Sequence, residues 1–93
     1  MTPRWTGSTD RHGVPRGEQI HAMLHPTYVA ELVDEQPETG HITLFIGHPH
    51  PQTDREVEIL VHEFPDTGEE AVIFHAIPLG PKFRRYREEH PDG

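Results

Sequence analysis

Apolar residues in this 93-residue chain fall in short runs separated by polar, proline-rich stretches, and the spacing inside each run suggests its geometry. From His41 to Gly47 they alternate, with Ile42, Leu44 and Ile46 on one side and His41, Thr43 and Phe45 on the other. This is the period of a strand with one buried face. Residues 55–63 alternate again, with Val57, Ile59 and Val61 inward and Glu56, Glu58 and Leu60 outward. Ala71 to Ile77 is apolar throughout except at His75 and is predicted to be the central, most buried strand. The stretch between the first two runs, residues 48–54, carries two prolines that lack amide donors and is therefore a hairpin loop. Pro65-Asp66-Thr67-Gly68 has turn residues at each place. Three strands joined by such short connections predict an antiparallel meander.

Upstream, His12-Gly13-Val14-Pro15 forms a turn into a helix, with Glu18 suited to its first turn. Ile20, Met23 and Leu24, at i, i+3 and i+4, form a narrow apolar stripe predicted to lie on the sheet. Pro26 ends that helix, because the residue before a proline avoids helical dihedrals. Residues 27–33 fit either a short helix or a strand, and we read them as a strand. The polar residues 1–11 read as a flexible arm whose Trp5 can dock on the domain, 12–89 as one α+β domain, and 90–93 as a flexible tail. The expected fold is α+β: a central antiparallel sheet of three or four strands, the N-terminal helix packed on one face, and a short basic helix at the C-terminus.

Composition narrows the chemistry. Without cysteine there is neither a disulfide nor thiol catalysis, and no apolar run approaches the ~20 residues of a membrane span. A cytoplasmic location is expected. The formal charge of −8 excludes a non-specific nucleic-acid binder that uses its whole surface. The charge is uneven, however. Between Glu31 and Glu70 eleven carboxylates face the single Arg55, whereas four of the eight Lys and Arg residues lie within Lys82 to Arg87. Pro81 is expected to start a helix there, with Phe83 and Tyr86 facing the sheet and Lys82, Arg84 and Arg85 in the first turns. That charge order opposes the helix dipole, at a cost of about 0.3–1 kcal/mol per cation. A helix with free N-terminal amides and several cations suits a phosphate or carboxylate ligand. The competing reading is that these cations pair with the acidic surface.

The chain has nine histidines. His21 and His25 stand at i, i+4, and His48 and His50 share a loop, but no third ligand is implied. Neither a resident metal nor a cofactor is expected. His75, inside the last strand, is either a hydrogen-bonded core residue or a general acid or base.

Several stretches together carry a resemblance. They are Trp5, His12-Gly13-Val14, the strand ending Ile46-Gly47, Arg55 leading through Val61-His62, Ile73-Phe74-His75-Ala76, and the terminal Arg84-Arg85-Tyr86-Arg87-Glu88-Glu89. In this order they resemble the BrnT-type toxins of bacterial toxin–antitoxin systems. The resemblance implies a RelE/ParE-like fold, an antitoxin protein as partner, and endoribonuclease activity that arrests translation. His41 and Ile77 stand where that family usually carries cations, and the family is usually basic. On this basis the catalytic candidates are His41, His75, Arg85 and Tyr86, and the RNA- or anion-binding candidates are Arg55, Lys82, Arg84 and Arg87. The alternatives are a non-catalytic protein-interaction domain of the same fold and a small anion-binding protein.

Overall fold

A computed structural model of the chain describes residues 4–6, 13–33 and 37–93. Its elements are β1 (Arg4–Trp5), α1 (Arg16–Leu24), β2 (Pro26–Glu31), β3 (His41–Gly47), β4 (Val57–Phe64), β5 (Glu69–Pro78) and α2 (Pro81–Glu89). They form one five-stranded sheet in the order β1-β5-β4-β3-β2. The meander β2 to β5 is antiparallel throughout, as the alternation implies, and residues 27–33 supply most of β2. The expected three or four strands become five because Arg4 and Trp5, inside the segment read as an arm, pair parallel with Val72 and Ile73. Residues 1–3 and 7–12, the rest of that segment with His12, lie outside the described residues. At the other end, the Tyr28 hydroxyl donates to the His90 carbonyl at 2.5 Å, joining the first residue of the tail to β2.

The register decides which side chains share a face. Phe45 lies opposite Ile59, and Leu44 opposite Leu60. The inward sets of β3 and β4 therefore belong to opposite faces, and both faces are covered. On one, Val57, Ile59, Val61, Ile73 and Ala76 pack with Val14 and Ala22 at α1. On the other, Leu44, Ile46, Leu60, Tyr28 and Ala30 pack with Phe83 of α2. This corrects two expectations. The central strand is β4, whose first five residues are all buried, whereas β5 is flanked by the two-residue β1 and is buried only at intervals. Glu58 and Leu60, read as outward, are 3% and 8% exposed because α2 covers them.

Helix α1 also differs from its stripe. Gln19 and Ala22 are buried, while Ile20 and Leu24 are 36% and 71% exposed. The physical reason is polar satisfaction together with close approach. The Trp5 indole N–H donates to Gln19 Oε1, and Gln19 Nε2 donates to the Val14 carbonyl, each at 2.8 Å, so the amide is buried without an unmet hydrogen bond. Beside it Ala22 lies so close to Gly47 that a Cβ on Gly47 would run into the Ala22 backbone. Gly47→Ala is therefore expected to push α1 off β3 and cost about 1–3 kcal/mol, read by urea denaturation.

Candidate functional site

The basic helix is seated by two carboxylates two residues apart, Glu58 of β4 and Glu56 just before it. Glu58, with its side chain 4% exposed, uses both carboxylate oxygens. Oε1 accepts the backbone N–H of Gly80, the residue capping α2, at 2.8 Å, and Oε2 accepts His75 Nε2–H at 2.7 Å. Two residues earlier, Glu56 accepts Nη1 and Nη2 of Arg87 at 2.8 and 3.2 Å and the Thr27 hydroxyl at 2.6 Å. Phe83, buried between these anchors, fixes the middle of the helix.

This geometry resolves the unfavourable charge order of α2. Its first turn holds no acidic residue. The anion that complements the positive end of the dipole comes from the sheet, as Glu58. Gly80's amide is thereby used, and Pro81 has none to offer. The expectation of free amides for an external anion at this end is thus corrected in part, because an internal carboxylate already sits there.

Arg87 holds the Glu56 carboxyl below its ordinary value of 4.5, chiefly through their hydrogen bonds. A depressed folded-state pKa means that Glu56 stabilises the fold fully above the ordinary carboxylate range. That contribution is lost as pH falls through the lower, folded value. Arg87→Met is expected to cost about 1–2 kcal/mol at neutral pH. It should also flatten the loss of stability below pH 4.5, as urea denaturation across a pH series would read.

The cations of α2 divide into two groups. Arg87 is bound to Glu56, and the Arg84 guanidinium reaches the Leu79 carbonyl at 3.4 Å. Lys82, Arg85 and Tyr86, at i, i+3 and i+4, line one side of the helix with Pro81 and Glu89 and border a shallow groove of about 440 Å³. The Lys82 ammonium lies 5.1 Å from the centre of the Phe83 ring. His75 is 30% exposed and belongs to the same end of the molecule, since Glu58 joins it to Gly80 and Pro81 begins the groove.

Two further candidates do not join this group. Arg55 is exposed in the loop before β4 and lines a small cavity with Gly13, Val14 and Glu18 on the α1 side. His41, on the same face as Thr43 and Phe45, stands between Glu31 and Glu63, with ring nitrogens 3.5 and 3.6 Å from their carboxylates. His75 lies opposite Leu60 on the α2 side. Arg55 precedes the strand next to the one that carries His75, which suggests one groove for Arg55, His75 and the Lys82 to Arg87 cluster. Arg55 lies on the α1 side and His75 on the α2 side, however, so that groove is not formed. Consecutive side chains of a strand point to opposite faces, and Arg55 and His75 do not share one. The residue that sequence reasoning missed is Glu58. Its alternation read as solvent-facing, and the available signal was a pair of carboxylates two residues apart, Glu56 just before β4 and Glu58 within it.

Two other described histidines bond backbone carbonyls. His21 Nδ1–H donates to the His48 carbonyl at 2.9 Å, and His48 Nδ1–H donates to the Arg55 carbonyl at 2.8 Å. Among the described residues no three His, Asp or Glu side chains are grouped to hold a metal ion. No helix among them is long and apolar enough to cross a membrane. A second hollow, about 480 Å³, has Glu38, Asp66 and Glu69 around Phe64 and therefore suits no anionic ligand. Set against known protein families, curated proteins and solved structures, the chain matches none.

Proposed function

We propose that this chain is a toxin-like protein of the BrnT type that cleaves RNA at the α2 groove, and that an antitoxin neutralises it by laying an acidic segment on the same groove. The observation that carries this reading is the alignment of Lys82, Arg85 and Tyr86 along one side of a helix in a protein of net charge −8. Two permanent cations with an aromatic ring beside them suit a phosphodiester backbone and its bases. His75, with a carboxylate behind it, supplies a base for the 2′-hydroxyl. In the proposed reaction His75 takes the 2′-hydroxyl proton and the 2′-oxygen bonds to phosphorus. The bond from phosphorus to the 5′-oxygen breaks, and the departing oxygen takes a proton from water.

Induction of the chain in a bacterial host tests this reading. Growth and translation should stop with the wild type and continue with Lys82→Ala/Arg85→Ala. Growth that continues under wild-type induction would count against it. A second reading, a non-catalytic docking domain, is favoured by one observation: Arg84 and Arg87 serve the protein's own carbonyl and carboxylate, and Arg55 lies on the other face. It predicts binding of an acidic partner, weakened by salt, with RNA left intact.

A further inference from the structure

Glu58 does more than seat a helix. A buried carboxylate is costly unless its oxygens are met, and here the two oxygens are met by different elements, His75 of β5 and Gly80 at the entrance to α2. Cross-strand register sets this up. Glu58 pairs with Ile77 and Leu60 with His75, so Glu58 and His75 are diagonal neighbours on the α2 face.

An ionised carboxylate only accepts hydrogen bonds, so the nitrogen facing it must carry a proton. Nε2 is that nitrogen, at 2.7 Å. In the neutral ring the lone pair is then on Nδ1, and a side chain 30% exposed can bring it to a ligand. The other oxygen's bond to Gly80 fixes the carboxylate's rotation, and with it the ring's orientation, relative to the end of α2 where the groove begins.

We infer that Glu58 is a positioning residue which holds His75 as the Nε2–H tautomer and presents a bare Nδ1 as the proton acceptor beside the α2 groove. The role rests on the cleavage reading above, and the substrate is a hydroxyl-bearing phosphodiester whose phosphate is held by Lys82 and Arg85. The proton passes from the 2′-hydroxyl to Nδ1, and the resulting imidazolium is stabilised by the carboxylate on its other side. It returns that proton to solvent after the 5′-oxygen has left and been protonated by water.

Glu58→Gln separates geometry from tautomer control. Its amide oxygen can still accept from Gly80, while its amide nitrogen can only donate to His75, which favours the Nδ1–H form. Two readouts are needed. Nitrogen chemical shifts of the His75 ring, by NMR at a pH where it is neutral, should show a bare Nδ1 in the wild type and a protonated one in Glu58→Gln. Cleavage of a single-stranded RNA by the purified chains should fall about 10²–10⁴-fold in kcat, with KM little changed, the range for loss of a positioned base. His75→Gln, which keeps a donor toward Glu58 but has no base, should be as inactive while remaining folded. A protonated Nδ1 in a wild type that cuts RNA, or a Glu58→Gln that cuts at the wild-type rate, overturns the role of Glu58 alone. A bare Nδ1 in a wild type that leaves RNA intact overturns the cleavage reading and the base role with it.

Discussion

Phe83→Ala is expected to lower the stability of the protein by about 3–5 kcal/mol, the usual cost of removing a buried aromatic ring. Phe83 is 4% exposed and sits in the cluster formed by Leu44, Ile46 and Leu60, so its loss leaves a cavity where α2 meets the sheet. Glu56 and Glu58 bond to opposite ends of that helix and would hold it only at its termini. The destabilisation should appear in urea denaturation, together with faster amide exchange at residues 83–89 than in β4. Retained stability with unchanged exchange would show that the polar anchors alone seat α2.

Lys82→Ala combined with Arg85→Ala is expected to reduce RNA cleavage by about 10²-fold or more, since these cations are asked to stabilise charge developing on the phosphate. The cost in stability should stay within about 0.5 kcal/mol, because both residues are exposed and lie toward the positive end of the helix dipole. Arg87→Met separates charge in general from charge in the groove. It removes one cation from the same helix, but one already bound to Glu56, so it should lower stability more and cleavage less than the double variant. If Lys82→Ala/Arg85→Ala instead melts the protein, as circular dichroism would reveal, those cations serve the fold rather than a ligand.

The meander was legible in the sequence because period-two alternation and proline-rich connections are local properties. Residues 41–47 and 57–63 carry them without reference to the rest of the chain. The extent of α2 was readable for the same reason, from Pro81 at its start and from Phe83 and Tyr86 at i, i+3. The departures are all non-local. Gln19 lies outside the apolar stripe of its helix, and its burial depends on Trp5, fourteen positions away, which donates to it. Glu58 reads as outward until a helix formed more than twenty residues later covers it. A strand of mixed polarity, β4, is central because both helices need it, and the more apolar β5 lies next to the edge. The site followed suit. The basic helix was visible as a cluster of charge, while the partner that orients His75 lay in a register that alternation alone does not fix.

The RNA cleavage proposed for the α2 groove and His75 would leave a chemical signature in the product of the purified chain. Incubated with single-stranded RNA, the wild type should yield fragments ending in a 2′,3′-cyclic phosphate paired with 5′-hydroxyl ends, as expected when the 2′-oxygen is the nucleophile. His75→Gln, still folded, should yield about 10²-fold less or lower. Wild-type protein that leaves the RNA uncut, or His75→Gln that cuts it equally, would contradict the account.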